Sequence, residues 1–283
     1  MASYLANPTE TRAALERHGL LLKHRLGQNF LVNDAVIEKI LTLASVQPGE
    51  CVLEVGPGIG TLSVGLLGAG GRVVAVEADT TLEPVLAETC ADGDFTLVLG
   101  DALKVLPDGL PECAAPTAFV ANLPYQVAAT LILKVFEEMP SVQRAIVMVQ
   151  AEVADRIAAR PGTKAYGAYT AKLALFGRVT GRFEVAPGNF MPPPHVNSAV
   201  VRIERAPLVD PGVAMAVAPV IDAAFAQRRK TIRNSMSASG YDKAALDSAF
   251  VACGIAPTAR AETLAPDDFV RLARELDGSL AGR

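Results

Sequence analysis

The chain contains no tryptophan, and its 283 residues include only 3 histidines and 4 cysteines. Cys51, Cys90, Cys113 and Cys253 stand far apart and make neither a CxxC pair nor any zinc spacing, so reduced thiols are expected and no metal or redox chemistry is implied. Long apolar runs are also missing: the longest, such as Ala145–Val149, suit a strand and fall far short of the roughly 20 residues a membrane-spanning helix needs. Residues 1–30 carry His18, Lys23, His24 and Arg25 without a signal-peptide core, which points to a cytoplasmic protein with no membrane partner. Nor is there an excess of basic residues. The net charge of −4 argues weakly against a nucleic-acid partner, but an average conceals where the charges lie. Residues 50–139 hold 3 Lys and Arg against 13 Asp and Glu, residues 140–184 hold 7 against 3, and Arg228, Arg229, Lys230 and Arg233 have no acid near them. Taken alone, that last cluster reads as a solvated helix face.

What is present is enough apolar content, 51%, for one large domain and one small one. Strand-like and helix-like segments alternate through the first 160 residues, the pattern of a mostly parallel, doubly wound α/β sheet covered on both faces. The predicted strands are Cys51–Val55, Arg72–Glu77, Phe95–Leu99, Thr117–Ala121 and Arg144–Gln150. Helices are predicted over 34–45, 61–67, 80–89, 127–138 and 151–159, with a further helix over Thr11–Leu22. After Pro161-Gly162 the pattern loosens, and the alternation of Ser198–Glu204 suggests an edge strand closing the sheet. Residues 205–212 read as a linker, with only helical patterns beyond it. The expected organisation is therefore an extension over 1–22, a cofactor-binding catalytic domain over 23–205 and a small helical domain over 212–283.

The strand Cys51–Val55 runs into Gly56-Pro57-Gly58-Ile59-Gly60, a turn whose missing side chains let backbone N–H groups approach a ligand. The third glycine comes one residue too early for the dinucleotide fingerprint G-x-G-x-x-G, and no P-loop lysine follows. Glu77 ends the next strand, where a carboxylate can accept both hydroxyls of a ribose, and Asp101 sits at the equivalent edge one strand on. Two such acids would repel a pyrophosphate and suit a neutral or cationic adenosine. S-adenosylmethionine meets that description better than NAD.

Asn122-Leu123-Pro124-Tyr125 follows the strand at 117–121, at the same sheet edge. The Asn122 amide oxygen and the Leu123 carbonyl can each accept one N–H of an adenine amino group, favouring a pyramidal nitrogen whose lone pair leaves the ring plane. Pro124 fixes the backbone angle, and Tyr125 can stack on an extruded base, a contact worth about 1–3 kcal/mol. No strong general base is required, because the nitrogen becomes acidic as it acquires the methyl group.

Leu26-Gly27-Gln28-Asn29-Phe30-Leu31, Val52–Gly60, Asn122–Tyr125, Lys164-Ala165-Tyr166-Gly167, Phe190-Met191-Pro192-Pro193-Pro194 through Val201, and Arg228–Asn234 occur in that order. Together they resemble the small-subunit ribosomal RNA adenine dimethyltransferase A family from about Lys23 to Leu276. The resemblance implies dimethylation of two adjacent adenosines in the 3′-terminal hairpin loop of 16S rRNA, within an immature small ribosomal subunit, by a monomer using S-adenosylmethionine. It implies donor contacts from Asn29, Leu31, Gly56, Gly58, Glu77, Asp101 and Asn122. It also implies a target base held between Tyr125 and Phe190, and phosphate contacts from Arg160, Lys164, Arg228, Arg229, Lys230 and Arg233. Two alternatives stand beside it: an erythromycin-resistance type methyltransferase acting on 23S rRNA, and a ribosome-assembly factor that acts mainly by binding.

Overall fold

Apolar residues dominate the five segments with the strongest strand character, and the central ones carry no alternation because both of their faces are covered. In the computed structural model, which describes residues 1–20, 29–111 and 115–276, the chain order begins with α1 (Pro8–Arg17), β1 (Phe30–Leu31), α2 (Asp34–Ala44), β2 (Cys51–Val55) and α3 (Thr61–Gly68). It continues with β3 (Arg72–Glu77), α4 (Glu83–Thr89), β4 (Phe95–Leu99), α5 (Ala102–Val105), β5 (Ala118–Asn122), α6 (Ala128–Glu138), β6 (Arg144–Gln150) and α7 (Ala151–Ile157). Then come α8 (Ala168–Leu173), β7 (Gly177–Val185), β8 (Phe190–Met191), β9 (Ser198–Arg205), α9 (Pro211–Phe225), α10 (Ile232–Ala238), α11 (Lys243–Cys253) and α12 (Pro266–Leu276). Among the described residues no helix is long and apolar enough to cross a membrane.

The main sheet has the order β4-β3-β2-β5-β6-β9-β7, parallel from β4 to β6, with β9 antiparallel to β6. Every residue of β2 is buried, and α2 and α3 contribute Ile37, Ile40, Leu62 and Leu66 to the apolar layer over it. Arg144 locks the amino edge. Its guanidinium donates to the Ala44 carbonyl at 2.7 Å and to both Glu50 carboxylate oxygens at 2.8 and 2.6 Å, while the Thr117 hydroxyl donates to the same carboxylate. One ion pair thus ties the end of α2, the entry of β2, the approach to β5 and the start of β6.

Three sequence expectations are corrected. The strand expected at Thr117–Ala121 lies one residue later, because pairing with β6 continues to Asn122 opposite Met148. Ser198–Glu204 does form a strand, but an interior one: the edge is β7, where Arg178, Thr180, Arg182 and Glu184 alternate with better covered residues and hide the apolar signal. The helix expected over Thr11–Leu22 starts earlier, at Pro8, because Asn7 accepts the Thr9 N–H as a cap, and it stops at Arg17; residues 21–28 lie outside the described part.

The chain divides into two compact units, Met1–Ala154 with Val179–Glu204, and Asp155–Arg178 with Arg205–Arg283. The second unit takes in Asp155–Arg178, which the division at 205–212 assigns to the first domain. The physical reason lies in long-range bonds: Gly162 donates to the Glu262 carbonyl, Leu208 to that of Leu175, and Tyr166 packs edge-on against Phe225 with ring centroids 6.0 Å apart.

Candidate active site

In a parallel sheet the strands' carboxyl ends meet the loops that cross between layers, and ligand-contacting residues gather there. Gly56 follows β2, Glu77 ends β3, Asp101 follows β4 and Asn122 ends β5. These residues, with Asn29, Leu31, Gly58, Leu123, Pro124 and Tyr125, line a cavity of about 370 Å³. All the expected donor-contacting positions therefore share one wall.

The glycine turn is left-handed at three points, with φ of 70° at Gly56, 62° at Gly58 and 87° at Gly60. A Cβ on Gly58 would lie 3.0 Å from the Phe30 ring, so the turn and β1 are packed as closely as glycine allows. Glu77 is 8% exposed; one carboxylate oxygen accepts the Asp79 N–H at 2.9 Å and the other the Gly58 N–H at 3.3 Å. Burial raises its pKa, opposed by those backbone donors. Asp101 accepts the Leu103 N–H at 3.0 Å as the cap of α5 while lining the cavity, so its cap role and a ligand role coexist.

Asn122 is oriented by a partner that has no choice of role. Its Nδ2 donates to the Asn29 carbonyl at 3.3 Å, and because a carbonyl can only accept, Oδ1 is the amide's acceptor on a residue that lines the cavity. Leu123 N–H donates to Met148, and Pro124 O accepts from Val127 and Ala128 to start α6, so the Asn-Leu-Pro turn is pinned at both ends. The Tyr125 hydroxyl is 2.8 Å from the Ser198 hydroxyl on β9, and burial raises the phenol pKa.

Phe190 departs from expectation. It is 4% exposed, pairs through β8 with Leu31 of β1, packs with Val185 and Val200, and does not line the cavity. In this structure it supports β1 rather than offering a ring face to a base. Sequence reading also missed cavity residues. Glu54, an acid in the middle of a buried strand, is 1% exposed and accepts the Ser63 hydroxyl at 2.6 Å; burial pushes its pKa up to about 8, so it is mostly neutral at pH 7. Its signal was present in the sequence, a lone carboxylate in Val52–Val55. Thr61, at the start of α3, lines the same wall with a buried hydroxyl that has no partner.

The expected RNA contacts all fall in the second unit. Arg228–Lys230 sit on a turn between α9 and α10, not on a helix face. Arg228 donates to the Lys164 and Tyr166 carbonyls and pairs with Glu262 at 3.3 Å, which joins its turn to the loop carrying Arg160 and Lys164. Arg233 makes a two-pronged pair with Asp247. Arg228 and Arg233 thus carry internal structural bonds, although Arg228 is exposed, as are Arg160, Lys164, Arg229 and Lys230. Among the described residues no group of three or more His, Cys, Asp or Glu could hold a metal.

The residues suit a nucleoside-containing donor: paired acids at adjacent strand ends, a glycine cradle and an unpartnered buried hydroxyl. A Rossmann-like sheet with this cavity and an Asn-Leu-Pro-Tyr turn after β5 defines a nucleic-acid-modifying methyltransferase class. The sequence matches the ribosomal RNA adenine dimethylase family over residues 19–278, and the chain belongs to that family of S-adenosylmethionine-dependent enzymes. It is 44% identical to "Ribosomal RNA small subunit methyltransferase A" of Nocardia farcinica, over 96% of this chain and 95% of the relative. It is equally 44% identical to the protein of that name from Leifsonia xyli, over 95% and 98%. The fold is similar to a dimethyladenosine transferase from Plasmodium falciparum, with a TM-score of 0.73 and 23% identity over 86% of this chain and 95% of that one. The 23S rRNA methyltransferase ErmE is similar at 26% identity, with a TM-score of 0.67 over 88% of this chain and all of that one.

Proposed function

We propose that this protein dimethylates the 6-amino groups of two adjacent adenosines in the 3′-terminal hairpin loop of 16S rRNA within an immature small ribosomal subunit. Bound S-adenosylmethionine supplies an electrophilic methyl group. The chain's own residues do the rest. Glu77 and Asp101 accept the hydroxyls and amino group of the donor's adenosine, and the glycine turn offers backbone N–H groups. The Asn122 Oδ1 and the Leu123 carbonyl accept the two N–H bonds of the target amino group, so its lone pair is withdrawn from ring conjugation and aimed at the methyl carbon. As the N–C bond forms, the S–C pair returns to sulfur. The nitrogen then sheds a proton to solvent without a dedicated base, and among the described residues no histidine lines the cavity. Tyr125 supplies the stacking face; a role for Phe190 as its opposite number requires that ring to leave the packing it has here.

The observation that carries this reading is the Asn29 carbonyl fixing the Asn122 amide with its oxygen as the available acceptor. Its test is incubation with undermethylated small subunits and labelled donor, followed by nucleoside analysis. Labelled dimethyladenine in 16S rRNA is expected from the parent protein, with loss of roughly 10²–10³-fold in rate for Asn122→Ala. Label in 23S rRNA, or an Asn122→Ala protein as active as its parent, would overturn it. The 40–44% identity to small-subunit methyltransferases supports 16S over 23S as substrate.

A further inference from the structure

The family match begins at residue 19, yet the residues before it contribute buried side chains to the first unit. Leu5 and Ala14 are fully buried, Leu15 is 5% exposed, and Thr11, also fully buried, donates its hydroxyl to the Leu5 carbonyl at 2.7 Å. What they pack against is informative. Leu5, Ala14 and Leu15 share one buried cluster with Phe30, Ile59, Leu82, Val85 and Leu86. Phe30 and Leu82 line the donor cavity, and Ile59 is the inner residue of the glycine turn. The Phe30 ring in turn comes within 3.0 Å of where a Cβ on Gly58 would stand, and its neighbour Asn29 holds the Asn122 amide.

The segment is also fastened at each end. The Ala2 and Ser3 N–H groups donate to the Asp34 carboxylate at 2.8–3.1 Å, at the start of α2. The Ala2 carbonyl lies 3.6 Å from where a Cβ on Gly65 would stand, beside the closer Ile37 and Leu41 side chains, so the first residues also approach α3. At the far end, Arg17 and His18 contact the Glu88 carboxylate of α4 at 2.8 and 2.6 Å. Residues 1–18 thus hold α2, which precedes the glycine turn in the chain, and α4, which follows it.

We propose that residues 1–18 form a strap that positions the methyl-donor site, with Leu5 and Leu15 as positioning residues that act through Phe30 on Gly58 and through Asn29 on Asn122. The inference rests on the donor occupying the cavity at the glycine turn. A rigid cavity loses less freedom when its ligand binds, and a bond that orients Asn122 in advance need not be formed during the reaction. The strap touches the donor side of the site. Its predicted signature is therefore weaker donor binding with unchanged RNA binding.

The experiment is a calorimetric titration of S-adenosylhomocysteine into the full chain, Leu15→Ala, Leu15→Met and a protein lacking residues 1–18, with filter binding of a 16S hairpin fragment in parallel. Expected are a donor-site Kd raised about tenfold in Leu15→Ala and more in the truncated protein, near-parental binding in Leu15→Met, and hairpin affinity unchanged throughout. No heat with the parent chain would sink the site assignment itself. Parental heat with the same Kd in Leu15→Ala would sink the strap alone, as would donor and hairpin affinities falling together. Should the truncated protein not fold, Asp34→Ala, which frees only the first residues, is titrated instead; an unchanged Kd there also counts against the strap.

Discussion

Single residues at the cavity are held in states they would not adopt in water. Glu54 is the plainest: burial outweighs the Ser63 hydrogen bond and lifts its pKa from 4.5 to about 8. The sign follows from proton binding. A carboxyl whose pKa is raised on folding favours the native state while protonated, so its contribution is lost as pH rises from about 4.5 to 8. Urea unfolding between pH 5 and 8 is expected to show the parent losing stability relative to Glu54→Gln by up to roughly 1.4 kcal/mol per pH unit. Parallel curves would mean the carboxyl is ionised in the fold. Gly58 makes a different demand. Its φ of 62° costs an alanine roughly 1–2 kcal/mol, and the added methyl must displace the Phe30 ring. Gly58→Ala should remain folded yet bind donor about tenfold more weakly, and equal binding would show that the ring yields without cost to the cavity.

At the scale of elements, the sheet is aligned from its amino edge while the chemistry sits at the other. Arg144, through Glu50 and the Ala44 carbonyl, sets where β2, β5 and β6 begin relative to α2, and strand length then decides where Gly56 and Asn122 end. Burial pushes the Glu50 pKa up, but the hydrogen bonds from Arg144, Thr117 and the Gln47 N–H overcome it and bring it to about 2. That contribution is present above about pH 4.5 and is lost as pH falls toward 2. Arg144→Ala leaves a largely buried carboxylate without its cation and is expected to cost about 3–5 kcal/mol in chemical unfolding at pH 7. A loss below about 1 kcal/mol would mean that water replaces the guanidinium freely.

For the whole molecule, an acidic protein with an RNA substrate needs its basic residues concentrated. Arg229 and Lys230 are exposed, whereas Arg228 ties its turn to the 160–166 loop and to Glu262. Replacing Arg229 and Lys230 together by alanine should lower hairpin affinity and reduce the salt dependence of log K by about 1 for each cation, leaving unfolding unchanged. Arg228→Ala should instead destabilise the second unit; an unaltered salt slope in the double variant would remove both residues from the RNA contact. Much of this was legible in the sequence. Cys51–Val55, Arg72–Glu77, Phe95–Leu99 and Arg144–Gln150 could be placed to the residue, and Gly56, Glu77, Asp101 and Asn122 could be assigned to one edge, because apolar periodicity, glycine turns and strand-end acids are local properties that a parallel sheet converts directly into position. The sequence by itself thus determined the parallel strands of the sheet, the edge at which these residues gather and the family. Only the tertiary structure decided that Phe190 is packed against β1, that β7 and not β9 forms the sheet's edge, that 155–178 joins the C-terminal helices, and that residues 1–18 buttress the glycine turn. Each of those outcomes depends on pairing between segments far apart in the chain, whose partners leave no periodic mark in the residues of either one.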